Sequence, residues 1–256
     1  MKRIYSVAAC LLFAATAFAQ GDFEKKPGSG NEDFTKNNVK LNLFALPLKN
    51  FSLQYERGLN ENISVSMGVR FQPKSKLPFA NTLSDLFESD GEEGDATLTD
   101  FFDNAKAGSW AITPEFRYYF GKQPLNGFYV APYVRIGGNS LDWKYNFAME
   151  DGGTKEVDFN GKINSVYGGL LFGAQWHIGS AVVVDWWILG PAYGSMNIKL
   201  NADTDLSDLS NEDIQELEDS FEIENFTTEV NNNGVKVNGK MPMFGLRTGL
   251  CIGYTF

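Results

Sequence analysis

His177 is the single histidine in this chain of 256 residues, and that limits its acid–base chemistry. A hydrolytic nucleophile needs a base within hydrogen-bond reach. His177 sits beside the Ile178-Gly179 turn, away from the acidic segments where carboxylates abound. Cys10 and Cys251 lie near opposite ends of the sequence, and no phosphate-cradling glycine loop accompanies them. Asp203, Asp205 and Asp208 are spaced closely enough for a calcium loop. They lack the central glycine and the distal bidentate glutamate of an EF-hand, so their candidacy as a metal site rests on acidity alone. The expectation is no catalytic residue and no cofactor.

Eight other charges sit where a strand would place them: Lys40, Glu56, Arg70, Glu115, Arg117, Arg135, Asp185 and Arg247. The segment from Phe244 to Phe256 illustrates the pattern. Its even positions include Phe244, Leu246, Leu250, Ile252, Tyr254 and Phe256, and its odd positions Gly245, Arg247, Gly249, Cys251 and Gly253. That is the period of a strand with two unlike faces. Elsewhere one face collects Trp110, Ile112, Phe116, Val134, Val184 and Trp186, while the other collects small residues and the eight charges. An eight-stranded closed barrel has an interior just wide enough to be filled by side chains. The bulky face would overfill it, so the charged face is predicted inside and the aromatic face in lipid. Five cations and three acids in a narrow lumen must form a connected network, because an unpaired buried charge is costly. Arg117 and Glu115 share a strand face with Arg135 on the next strand, and Asp185 is the expected partner of Arg135 or Arg247. This network reads as a salt-bridged plug rather than an ion path.

Strands are expected at about 39–47, 51–58, 62–71, 109–120, 127–147, 154–177, 180–200 and 235–256. The Gly137-Gly138 pair marks an expected bulge in the fifth. The fold class is therefore all-β, an eight-stranded antiparallel transmembrane barrel. Short turns at 58–61, 121–126 and 178–179 alternate with a tight turn near Pro47–Asn50, a connection at Ala148–Gly153 and long connections at 72–108 and 201–234. Short periplasmic turns and longer extracellular loops are the outer-membrane pattern. The long connections carry eight and eleven acids, 19 of the 32 in the chain. Leu83, Leu86 and Phe87, then Leu98, Phe101, Phe102 and Ala105, recur at helical spacing in the first. Ser210 with Asp213 caps a similar pattern of Ile214, Leu217 and Phe221 in the second. Short loop helices are expected there. Trp176, Trp186, Tyr118, Phe120, Phe128, Tyr254 and Phe256 read as an interfacial girdle.

The N-terminus supports export. Met1-Lys2-Arg3, an apolar run from Ile4 to Phe18 and Ala17-Phe18-Ala19 read as a signal peptide over 1–19. Val7-Ala8-Ala9-Cys10 resembles a lipoprotein box, but most of the apolar run follows it. Residues 20–38 read as a flexible periplasmic lead-in, and 39–256 as the barrel. No other stretch has the roughly 18 consecutive apolar residues of a membrane helix. A net charge of −10 argues against nucleic acid as a partner.

Several segments carry a resemblance together: Val39-Lys40-Leu41-Asn42-Leu43, Phe51-Ser52-Leu53-Gln54-Tyr55-Glu56-Arg57, Pro114-Glu115-Phe116-Arg117-Tyr118-Tyr119, Gly127-Phe128-Tyr129-Val130-Ala131-Pro132, Gly173-Ala174-Gln175-Trp176, and above all Asp185-Trp186-Trp187-Ile188-Leu189-Gly190-Pro191. The set resembles a family of Gram-negative outer-membrane barrels known only as a domain of unknown function. Its architecture is similar to the transmembrane domain of OmpA. The resemblance implies outer-membrane residence and supplies no catalytic residues, and the even strand number places both termini in the periplasm. Leu250, Ile252, Tyr254 and Phe256 look like a C-terminal assembly signal. The partners implied are outer-membrane lipid and lipopolysaccharide, the barrel assembly machinery, and a surface or envelope protein. A structural or surface-interaction role follows. The alternatives are a small outer-membrane barrel enzyme and a lipid-binding barrel.

Overall fold

The computed structural model describes residues 37–78, 104–121, 125–148, 154–206 and 226–256. The chain divides into Met1–Phe34 and Thr35–Phe256, and all described residues belong to the second unit. The proposed signal peptide, residues 20–36 of the lead-in, Asp208 and both predicted loop helices apart from Ala105 lie outside the described residues.

Nine antiparallel strands form one sheet: β1 Asn37–Asn42, β2 Phe51–Gly58, β3 Ile63–Lys76, β4 Lys106–Tyr119, β5 Gly127–Ala148, β6 Thr154–Ile178, β7 Val182–Asp203, β8 Phe226–Asn231 and β9 Gly234–Thr255. Eight of them close into a ring in the order β1-β2-β3-β4-β5-β6-β7-β9, and β1 pairs back onto β9 from Asn38↔Thr255 to Asn42↔Cys251. β8 lies outside the ring as a hairpin partner of β9. Following cross-strand neighbours once round, from Lys40 through Gln54, Gly68, Gly194 and Met243, returns to the β1 side about ten residues along the chain. Such a stagger goes with strands tilted by ~35–45° to the ring axis.

Several boundaries differ from the sequence reading. Asn37 and Asn38 belong to β1 rather than to a lead-in. The first strand ends at Asn42, and Leu43–Leu48 form a 3-10 turn instead of completing it. The cause is local. Asn42 Oδ1 accepts a hydrogen bond from the Phe44 amide at 2.9 Å, and Lys49 closes the turn in a left-handed conformation. β8 falls inside a segment read as loop. Its alternation of Phe226, Thr228 and Val230 precedes an Asn-Asn-Gly turn, which is a hairpin signal. Gly137 and Gly138 are not a bulge, because the β4–β5 register runs unbroken past them, Ala111↔Gly137 and Trp110↔Gly138. They are glycines because β4 passes too close for a side chain. A Cβ on Gly137 would lie 2.6 Å from the Trp110 carbonyl oxygen.

The register breaks elsewhere. In β7 it shifts between Phe172↔Leu189 and Gly173↔Trp187, leaving Ile188 as the extra residue. Asp185 and Trp187 are buried below this point, whereas Gly190 and Ala192 are buried above it and Leu189 and Tyr193 are exposed. One inserted residue has shifted the inward positions of the strand from odd to even numbers. Thr248 Oγ1 donates to the Trp187 carbonyl at 3.0 Å beside the bulge.

Burial separates the two faces of the ring. Inside are Lys40, Gln54, Glu56, Glu115, Arg117, Tyr119, Tyr129, Gln175, Asp185 and Trp187, all buried. Outside are Leu53, Val65, Met67, Val69, Ile112, Phe116, Phe172 and Ile252, all exposed, with Phe244 at 80 % and Leu246 at 69 %. The fold is a polar interior wrapped in an apolar exterior.

Candidate functional site

The centre of the ring is an ionic cluster built from strand alternation. Each strand turns every second side chain inward, and those positions carry the charges. Lys40 Nζ on β1 contacts Glu56 Oε2 at 2.5 Å and Asp185 Oδ2 at 2.7 Å, and donates to Gln175 Oε1 at 2.7 Å. Three acceptors satisfy its three donors. Arg117 on β4 reaches Asp185 at 2.8 Å, Glu115 at 3.0 Å and Glu56 at 3.4 Å, and donates to Gln54 Oε1 at 2.8 Å. Its guanidinium lies over the Tyr129 ring, 4.4 Å from the centroid. Arg247 on β9 descends to Glu115 at 2.5 Å. It stacks on Trp187 at 4.0 Å and Tyr133 at 5.1 Å.

Neutral donors complete the shells of the acids. Glu56 accepts from Ser64 at 2.5 Å and from the Tyr119 hydroxyl at 2.6 Å. Asp185 accepts from the Tyr129 hydroxyl at 2.7 Å and the Trp187 indole at 3.1 Å. Glu115 accepts from Gln54 at 2.8 Å. The Lys40, Glu56, Glu115, Arg117 and Asp185 side chains are fully buried. The ions and their polar neighbours draw on every strand of the closed ring. At the short-turn end Leu125 is buried, and Gln175 Nε2 donates to its carbonyl at 2.6 Å.

The structure thus brings together six of the eight predicted charges. The pairing differs from expectation in one respect: Asp185 joins Lys40 and Arg117 rather than Arg135 or Arg247. The cause is position. Asp185 lies nearer the short-turn end, and Arg247 is engaged by Glu115. Arg135 and Arg70 stand outside the ion-pair network. Arg135 donates to Thr113 Oγ1 at 2.9 Å and to the Tyr167 hydroxyl at 3.4 Å. Sequence reasoning missed Gln54, Gln175, Tyr119, Tyr129, Tyr133 and Trp187 as interior groups. Parity was the available signal, since Tyr119 shares that of Arg117, Tyr129 and Tyr133 that of Arg135, and Trp187 that of Asp185.

Small residues seat the large ones. A Cβ on Gly173 would collide with the Tyr129 ring, and one on Gly253 would lie 2.6 Å from Lys40 Cγ. Cys251 is buried on the inner face, while Ile252, Tyr254 and Phe256 point outward. His177 is half-buried near the end of β6, opposite Val183. Asp203 closes β7 opposite Asp158 and accepts a hydrogen bond from Asn160 at 3.4 Å. Among the described residues no three His, Cys, Asp or Glu side chains converge as a metal site.

Each carboxylate of the cluster is held by at least one cation and one neutral donor. Their ion pairs tie β1, β2, β4, β7 and β9 together across the ring. A family model described as a protein of unknown function (DUF3575) matches residues 8–199. No curated protein matches the chain.

Proposed function

The chain belongs to the DUF3575 family of proteins of unknown function, and we propose that it is an outer-membrane β-barrel, sealed by its ionic core, whose acidic loops work at the cell surface. The observation that carries this reading is the outward face. Along β4 and one residue past its end it runs from Trp110 through Ile112, Phe116 and Tyr118 to Phe120, all exposed. Ten residues at ~3.3 Å each, tilted by ~40°, project to ~25 Å along the ring axis. That equals the ~25 Å apolar band of outer-membrane barrels, with aromatics at both margins. In water such a surface would be far larger than the few hundred Å² of apolar patch that soluble monomers tolerate. The interior points the same way, because soluble ligand-binding barrels keep their apolar residues inside.

On this reading residues 1–19 are an export signal, both termini are periplasmic, and the architecture is of the OmpA transmembrane type. Lipid and lipopolysaccharide surround the band, the barrel assembly machinery inserts it, and the loops at 72–108 and 201–234 meet a surface or envelope partner. The role is structural or adhesive rather than enzymatic. Fractionation tests it. The folded protein should remain in the membrane pellet through high salt and carbonate and enter solution only with detergent. Release of folded protein by carbonate alone would refute the membrane reading.

A further inference from the structure

Charge is unevenly divided along the axis of the ring. All three interior acids are consumed at the centre and toward the short-turn end: Glu56 and Asp185 by Lys40 and Arg117, Glu115 by Arg117 and Arg247. Ser66 and Tyr133 are the cross-strand neighbours of Glu115. Arg70 and Arg135 stand four and two residues beyond them toward the loop end, on β3 and β5. Arg70 faces Ala111, which faces Gly137, two residues from Arg135. Arg247 belongs to the same level and only reaches down to Glu115.

Donors exceed acceptors there. Arg247 Nε and Nη1 are buried without a hydrogen-bond partner. Arg70 makes no hydrogen bond or ion pair with any described residue. Arg135 has two neutral oxygen acceptors, on Thr113 and Tyr167, and no carboxylate among the described residues. Buried or half-buried cations without counter-charge are costly, and planar guanidinium groups match oxyanions through paired hydrogen bonds.

We propose that Arg70, Arg135 and Arg247, with the Thr113 and Tyr167 hydroxyls, form an anion-binding cup on the loop-end side of the central ion pairs, for a small oxyanion of the carboxylate or phosphate class. The cup concerns the interior of the ring and holds whatever surrounds the outside.

Inorganic phosphate is the probe. Titrated calorimetrically into the full chain in non-ionic detergent at low ionic strength, it should give a saturable one-site isotherm. Affinity should fall at least tenfold in the Arg70→Gln, Arg135→Gln double variant. It should stay unchanged when Lys162 and Lys199, exposed opposite each other on the outer face, are both replaced by Gln. An isotherm that does not saturate, or equal affinity in all three proteins, overturns the proposal. A second measurement needs no variant. Phosphate should slow phenylglyoxal modification of Arg70 and Arg135 in the unaltered protein at least threefold, read by mass spectrometry. Arg57, exposed on the outer face near the β2–β3 turn, should react at an unchanged rate. Equal rates at Arg70 and Arg135 with and without phosphate overturn the cup.

Discussion

Asp185 touches Lys40, Arg117, Tyr129 and Trp187 at once, so its charge compensates two buried cations. Removing one partner of a buried ion cluster leaves the others uncompensated and costs ~3–5 kcal/mol. Asp185→Asn keeps the shape and removes the charge. It is expected to lower unfolding stability by about that amount in denaturant titrations of the detergent-folded protein. The exposed Lys144–Asp158 pair at 3.2 Å supplies the contrast. Exposed pairs are worth ~0–1 kcal/mol, so Asp158→Asn should shift the same curve by less than ~1 kcal/mol. Comparable effects at the two sites would mean that the buried cluster does not hold the ring together. The six charges that meet were legible because each interrupts an apolar alternation. Their partners were harder to assign, because register depends on the ring closure and on a bulge that no single strand encodes. Tyr119, Tyr129 and Trp187 escaped for another reason. An aromatic next to lipid-facing residues reads as one of them unless its parity is followed strictly from the neighbouring charge.

Strand β7 shows how one extra residue resets the parity of an element. Below Ile188 the odd positions point inward, and above it the even ones do. Deleting Ile188 removes the extra residue and leaves Trp187 inward, Leu189 outward and Gly190 inward in plain alternation, so both faces survive. Ala192 is buried, and Gly190 packs with Leu171 and Arg247. There is no room there for a tyrosine. The deletion is expected to retain the compact, heat-modifiable electrophoretic species typical of folded barrels, whereas Ala192→Tyr should lose it. Loss of the compact species in the deletion variant would mean that β7 needs the bulge itself in order to pair. Most strands were readable to within a few residues, since long alternation is a strong signal. The errors fell on short elements. β1 yields to the 3-10 turn that Asn42 caps, and β8 has only six residues, bounded on one side by an Asn-Asn-Gly turn. The Gly137-Gly138 pair was misread because two glycines signal a bulge and a close approach alike. Only the neighbour, Trp110 of β4, decides between them.

For the molecule as a whole, the surroundings of the outer face decide what a charge there would do. Met67 on β3 is exposed and faces Pro114, midway along the band that Trp110 and Phe120 bound on β4. Against lipid, a lysine at the midplane of a barrel wall costs ~2–4 kcal/mol, falling to ~0–1 near the interfaces. Against water, the same lysine replaces an exposed methionine and costs nothing appreciable, improving solubility instead. Met67→Lys and Phe120→Lys therefore form a pair that reads depth. In phospholipid vesicles the first should lower folding stability by ~2–4 kcal/mol and the second by about 1 kcal/mol or less, both taken from denaturant midpoints at constant slope. The gradient is the diagnostic quantity, because loss of local packing would penalise both sites without regard to their height. Equal effects at the two positions, or a Met67→Lys variant as stable as the parent, would mean that the apolar exterior is covered by something other than a bilayer.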